Sequence, residues 1–405
     1  MRIWYLVPYP PSLIRVRPYH LIRSLAARGH DVTLFCLWSD EREREDLERF
    51  RPQVAAVRAI HLPRWRSLAN SLGALPGGAP LQASYAWDEA LVKALPAGPL
   101  PDVVQVEHLR GVRYGLWFKA VRERSPGGIK SRFPIVWDSV DCISLLFEQA
   151  AANSRRLTSR WLTRFELGRT RRYEAWLAGQ FDRVLVTSPK DLDAFGSLAP
   201  EHRARLALVP NGVDLDYFQP APHQDREPAT LVLTGKMHYH ANVTMAVQFV
   251  RTVLPLVKAQ RPQVKVMLVG KDPVREVLAL GEDPAVTVTG TVPDLRPYLG
   301  RATVAVAPIV YGTGIQNKVL EAMACATPVV STPQAVSALQ IEPGVQALIA
   351  DTPEAQAEAI VALLDDPERR QAMGRAARQY VEDRHDWGRI AENMEALYDG
   401  NTVRL

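Results

Sequence analysis

The 405-residue chain has only three cysteines, Cys36, Cys142 and Cys325. They lie far apart and make none of the spacings of a metal site or a redox pair, so a reducing cytoplasm is the simple reading. No apolar run approaches the roughly 18 residues that a bilayer span requires. Stretches such as ATVAVAPIV (302–310) have the length of a strand. The opening MRIWYLVPYPP lacks the charged and apolar regions of a secretion signal. There is no internal repeat, no low-complexity tract and no nucleic-acid-binding motif. The expectation is a cytoplasmic protein that does not bind nucleic acid.

What is present is ordinary in amount and uneven in placement. The length suits two domains. Residues 1–220 carry 31 Lys and Arg against 23 Asp and Glu, whereas residues 221–405 carry 18 against 21. A basic half joined to a slightly acidic one suggests that the first half meets something anionic. Charge alone does not separate a membrane surface, a phosphate ligand and a nucleic acid.

Short apolar runs alternate with amphipathic ones. MRIWYLVPYP reads as a strand and a loop, residues 19–28 as a helix stopped by Gly29, and DVTLFCLW as the next strand. Further strands are expected in 101–108, 133–141 and 181–188. Residues 63–101, rich in Pro and Gly, read as a long loop insertion with a short helix near 84–95. VPNGVDLDYFQPAPHQDREPA (209–229) reads as an interdomain hinge. The alternation then restarts, with strands in 230–235, 264–270, 285–290, 303–309 and 327–332, and residues 386–398 form a last amphipathic helix. This order predicts an α/β protein of parallel sheets covered by helices. The expected division is 1–215, 216–385 and a C-terminal helical segment, 386–405.

The most informative string is GTGIQNKVLEAMACATPVV (312–330). Ligands of parallel sheets bind at the carboxyl ends of strands, and this loop follows such an end. Gly312 and Gly314, with Thr313 and Ile315 beside them, let backbone amides approach a ligand. The helix that follows offers free N–H groups to a phosphate. Lys318 adds a full charge, and Glu321, three residues on, shares its face. A buried carboxylate needs donors, and two ribose hydroxyls supply them. The alternative is a Lys–Glu pair inside a core helix.

GTGIQNKVLEAMACATPVVST resembles the donor-site signature of retaining glycosyltransferase family four, of the GT-B fold. VPNGVDLDYF resembles the interdomain segment of that family, RGHDVTLF its second strand, and TGKMHYHANV a branch of exopolysaccharide-type sugar transferases. The resemblance implies two Rossmann-like domains facing across a cleft, with the C-terminal helix crossing back to the first. It implies a nucleotide diphosphate sugar as donor, held mainly by the second domain, a hydroxyl acceptor, and no cofactor or metal. Glu321 takes the place of the ribose-binding glutamate. Gly235 and Lys236 stand where the family sets a basic residue against the diphosphate. Two departures stand out. The family often has a glutamate where this chain has Thr313, and a second lysine where it has Asn242; Lys318 and Arg15 are candidates for the missing charge.

In the first half, Arg15 and Arg17 follow strand one and offer guanidinium forks for phosphate oxygens. Asp138 is expected near the reacting sugar as a catalytic carboxylate, with Glu107, His108 and Asp141 as acceptor-side candidates. The pairs Asp191/Asp193 and Asp214/Asp216 read as structural. Residues 154–172 contain seven arginines and one glutamate. Leu157, Trp161 and Phe165 form one stripe of this helix and Arg156, Arg160 and Arg164 another. An anionic membrane bearing a lipid-linked acceptor is a candidate partner, against a solvated basic face. Sugar transfer in polysaccharide or glycolipid assembly is the leading reading. A non-catalytic nucleotide-sugar-binding partner and an epimerase of the same fold remain as alternatives.

Overall fold

The computed structural model describes residues 1–94, 99–124, 133–153, 157–221, 226–310 and 314–400. The chain forms two compact units, Met1–Pro210 with Trp387–Leu405, and Asn211–Asp386.

The first unit is built on seven parallel strands: β1 (Arg2–Val7), β2 (Asp31–Trp38), β3 (Ala56–His61), β4 (Val103–Glu107), β5 (Ile135–Val140), β6 (Arg183–Val186) and β7 (Leu206–Leu208). Their order is β3-β2-β1-β4-β5-β6-β7. β1, β4 and β5 are buried almost throughout, which explains why they read as unbroken apolar runs. One face of the sheet packs a core around Leu6, Val106, Trp137 and Phe181, the other a core around Tyr5, Leu34, Val136 and Leu185. The chain winds outward from β1 to β3 and then returns to β4 beside β1. That reversal places the crevice of this sheet at the carboxyl ends of β1 and β4.

The second core is closed by the C-terminal helix Trp387–Tyr398, which belongs to the first unit. Trp387 stacks on His20 of the helix Val16–Ala27 at 5.6 Å between ring centres. Arg28 and His30 grip Glu395 at 2.8 and 2.7 Å, and Arg28, with His30, holds its carboxyl down at about 2.

The described residues of 63–101 are not a long loop. They contain the helices Arg64–Gly73, Leu81–Tyr85 and Glu89–Lys93. Pro63 and Pro80 stand just before the first two, where the absence of an N–H is harmless, so the prolines punctuate helices rather than exclude them.

The second unit has six parallel strands: β8 (Thr230–Thr234), β9 (Lys265–Val269), β10 (Val286–Gly290), β11 (Val304–Ala307), β12 (Val329–Ser331) and β13 (Leu348–Ile349). Their order is β10-β9-β8-β11-β12-β13. Here the reversal falls between β8 and β11. The carboxyl ends of these two strands carry Gly235–Lys236 and the loop leading to helix Asn317–Ala324.

Candidate functional site

In the first unit the crevice is filled by a polar network. Glu107, the last residue of β4, lies opposite Asp138 of β5, and Tyr5 of β1 lies opposite Gln105. Glu107 accepts hydrogen bonds from the phenols of Tyr5 and Tyr9, both at 3.2 Å. Gln105 donates to Tyr5 Oη at 3.0 Å and to Asp138 Oδ2 at 3.3 Å, and accepts from Tyr398 of the C-terminal helix. Arg17 donates to Asp138 Oδ2 through Nε at 2.9 Å and to the carbonyls of Val209 and Pro210. Burial raises both carboxyls. At Asp138 the guanidinium of Arg17 opposes that rise, while at Glu107 the charge of Asp138 adds to it. Burial thus favours the neutral form of both carboxyls, opposed at Asp138 by the hydrogen-bonded guanidinium and at Glu107 by the more distant charge of Arg17 and the two phenols.

This geometry corrects two expectations. Asp138 is fully buried and held by Arg17, so it is not open to a reacting sugar. Arg17 is 4% exposed and engaged with Asp138, so it does not stand as a phosphate fork. Arg15 meets Glu43 at 2.5 Å and covers the Tyr9 ring at 4.2 Å. The side chains that do reach the surface of this edge are Tyr9, His108 and Asp141, each partly buried. Burial pushes the His108 imidazole down to about 4, so it is neutral. Burial and the charge of Asp191 push Asp141 up to about 7. His108 and Val140 have φ of 63° and 69°, a left-handed backbone that costs a side-chain-bearing residue roughly 1–3 kcal/mol. Both lie at the carboxyl ends of neighbouring strands, next to the candidate side chains.

Asp191 accepts the Cys142 N–H at 2.9 Å and is bound by Ser188, and Asp193 pairs with Arg203. Asp214 accepts the Tyr217 N–H at 2.9 Å. Glu174, which the sequence did not single out, takes the N–H groups of Ile143 and Ser144 at the start of the helix Ile143–Asn153.

In the second unit, Gly270 is the tightest point. A Cβ there would sit 1.7 Å from the Gly235 carbonyl oxygen, so only glycine lets the ends of β8 and β9 meet. The Met237 N–H donates to Lys271 O at 2.8 Å and ties the two loops together. Lys236 is exposed at the end of β8, and its pKa is lowered by partial burial and by the neighbouring charge of Lys271. Lys271 was missed by the sequence reading. Its signal was present, since TLVLTGKM and VKVMLVGKD both end a strand on Gly-Lys.

Gly312 and Thr313 lie outside the described residues. Gly314 has φ of 70°, which favours glycine, and Ile315 packs on the core beneath. Lys318 Nζ donates to Asn242 Oδ1 at 2.5 Å, and Asn242 Nδ2 donates to Lys236 O at 3.0 Å. The ammonium of Lys318 thus reaches the position where the sequence has Asn242 in place of a lysine. Burial pushes Lys318 down to about 8 and Glu321 up to about 7. The Glu321 carboxylate is partly buried and has no hydrogen bond or ion pair with any described residue. The nearby Asn317 Oδ1 is buried and likewise without a partner.

Two successive α/β units of parallel strands are the architecture of the GT-B glycosyltransferases. Residues 15–217 match the family described as Glycosyltransferase Family 4 and residues 228–366 that described as Glycosyl transferases group 1. The chain belongs to glycosyltransferase family 4 and is a sugar transferase. It is 23% identical to the glycogen synthase of Mycobacterium tuberculosis over 96% of this chain and 92% of that protein. Its fold is similar to that of sucrose-phosphate synthase from Thermosynechococcus elongatus, with a TM-score of 0.66 at 20% identity, covering 99% and 98% of the two chains. It is also similar to Anabaena HepE solved in complex with UDP, with a TM-score of 0.67 at 17% identity, covering 99% and 100%.

Proposed function

We propose that the second unit binds the donor, a nucleotide diphosphate sugar, through Glu321, Lys318, Lys236, Lys271 and the Gly314–Ile315 backbone. The observation that carries this reading is Glu321. A half-buried carboxylate with no hydrogen bond or ion pair to any described residue costs free energy, and hydroxyl donors of a ribose would supply what it lacks. The three lysines would oppose the charge that grows on the departing diphosphate. The complex of HepE with UDP supports a uridine nucleotide as the first donor to test.

The acceptor is a hydroxyl, assigned to the first unit's Asp141, His108 and Tyr9, with Glu107 behind Tyr9. The sugar's anomeric carbon loses its bond to the diphosphate oxygen and gains one to the acceptor oxygen on the same face. The departing diphosphate oxygen takes the acceptor proton, so configuration is retained. The setting is cytoplasmic assembly of a polysaccharide or glycolipid. Among the described residues no helix is long and apolar enough to cross a membrane.

The test is a thermal-shift comparison of UDP-, GDP-, ADP- and TDP-sugars on the parent protein and Glu321→Ala. A donor at about a hundredfold over its Kd adds roughly 2.7 kcal/mol of stability. That gain should vanish in the variant. Equal gains in parent and variant would remove Glu321 from the donor site.

A further inference from the structure

A cavity of about 110 Å³ lies at the carboxyl ends of β11, β12 and β13 in the second unit. One water needs roughly 10–15 Å³ of such space, so the cavity has room for several. Ile309 follows β11, Thr332 follows β12 and Asp351 follows β13. The facing wall is helical and is not a plain α-helix. Between the helices His240–Gln248 and Leu254–Gln260, the residues Phe249–Val253 make one π turn, in which the Leu254 N–H donates to Phe249 O five residues back. Pro255 follows at once and lacks the N–H that an α-helical ladder needs there. Such turns are rare and frequent at functional sites, and this one lends Phe249 and Thr252 to the wall. The most telling group is Gln356 of the helix Pro353–Asp365, which borders the cavity and is 6% exposed. Its Nε2 donates to Ala350 O at 3.4 Å, which fixes the orientation of the amide. The Oε1 is then a buried acceptor, and it has no donor among the described residues. Asp351, exposed at the rim, makes no ion pair with any described residue.

We propose that this cavity is a second sugar subsite, which takes one pyranose unit of a neutral saccharide. The unmet atoms on its walls, Gln356 Oε1 and the Asp351 carboxylate, are acceptors, so the ligand must donate hydrogen bonds. The Thr252 hydroxyl donates to Gln248 O at 2.8 Å and keeps its lone pairs for a donor as well. Among the described residues that line the cavity there is no Lys, Arg or His, so an anion such as the donor's diphosphate finds no counter-charge. A single carboxylate at an exposed rim is too little for a polyamine. Hydroxyl groups fit, and the side-chain amides of Gln248 and Gln334 offer the paired donor and acceptor that neighbouring hydroxyls use. Phe249, Val253 and Ile309 add apolar surface for the C–H face of the ring. The Thr332 hydroxyl is already used, donating to Ile309 O at 2.6 Å, and holds two of the walls together. A lone water would meet Gln356 and leave most of the space unfilled. Glu321, Lys318, Lys236 and Lys271 do not border the cavity, so it is distinct from the proposed donor site. Both use the carboxyl end of β11, which lines the cavity and leads through Val310 to Gly314.

This inference goes beyond the donor reading and is tested apart from it. Intact protein is titrated with glucose, mannose, galactose and N-acetylglucosamine, and binding is followed by saturation-transfer NMR. The parent should bind at least one of the four. Gln356→Met keeps the length of the side chain and removes the acceptor, and should bind that sugar at least about tenfold more weakly. An unchanged thermal midpoint verifies the fold of the variant. If Gln356→Met does not fold, Asp351→Ala, at an exposed position, decides in its place and should bind at least about threefold more weakly. A parent that binds none of the four sugars overturns the proposal, as does equal affinity in parent and variant. Displacement of the bound sugar by UDP-glucose assigns the cavity to the donor's own sugar and overturns it as a second subsite. Binding of spermidine in place of any sugar assigns the cavity to an amine and also overturns it. UDP-sugar thermal shifts on the same proteins report the donor site separately, so failure of one reading leaves the other standing.

Discussion

Donor binding should depend on pH in a form set by two side chains of one helix. The bound form needs Glu321 ionised, to accept from hydroxyls, and Lys318 protonated, to meet the diphosphate. In the free protein burial raises Glu321 to about 7 and lowers Lys318 to about 8. At about pH 6 only one Glu321 in about eleven is ionised, and at about pH 9 only one Lys318 in about eleven is protonated. Affinity should therefore peak near pH 7.5 and fall by up to roughly tenfold, about 1.4 kcal/mol, for each pH unit beyond either limit. A UDP-sugar is the right probe, because its diphosphate is esterified at both ends and does not titrate in this range. Isothermal titration from about pH 5.5 to 9.5 gives both limbs, and Glu321→Gln should remove the acid limb while leaving the alkaline one. An acid limb that persists unchanged in Glu321→Gln would refute the assignment, because the titrating group would then lie elsewhere.

The same shift carries a stability consequence. Glu321 has its folded pKa raised, so between about 4.5 and 7 the native state holds the extra proton and the free protein loses stability as pH rises. Glu321→Gln should stabilise the free protein at about pH 8 by about 1–3 kcal/mol in urea unfolding while weakening donor binding; a loss of stability would mark Glu321 as a structural partner. Arg17→Met leaves Asp138 buried without its counter-ion and should cost about 3–5 kcal/mol, a value read from the urea midpoint; a change under about 1 kcal/mol would show that the pair is not held as described. Gly270→Ala forces a Cβ onto the Gly235 carbonyl, and should weaken UDP-sugar binding at least about tenfold through displacement of the Lys236 loop; unaltered affinity would separate that loop from the donor site.

The inner strands were legible because burial on both faces makes them apolar throughout. β3, β7 and β13 were not. β3 (AVRAIH) exposes Arg58 and His61, while β7 and β13 have three and two residues, too short for any periodic signal. The helix Arg64–Gly73 was missed for a different reason. Pattern reading assumes that apolar stripes face a core, and in this helix the stripe faces outward while Ser67, Asn70 and Ser71 make the inward contacts. Lys271 escaped notice although its strand ends on Gly-Lys, because its place beside Lys236 depends on β9 lying next to β8, a pairing that no local window contains.

The two halves of the candidate site also differ in what sequence could say about them. Asp138 and Glu321 look alike in a string of letters, each a carboxylate with apolar residues close by, the first in a strand and the second in the helix after one. Their partners decide between them. Arg17, 121 residues away in sequence, and Gln105 satisfy Asp138 inside the protein, which makes it part of the scaffold that sets Glu107 and Tyr9 in place. Nothing described satisfies Glu321, although Lys318 is only one turn away and turns to Asn242 instead. A buried polar group completed by its own chain is explained by folding, whereas one left without a described partner on the helix that follows a strand end invites a ligand. That distinction rests on long-range contacts, which no string of letters contains: among the described residues Asp138 has its partners and Glu321 has none.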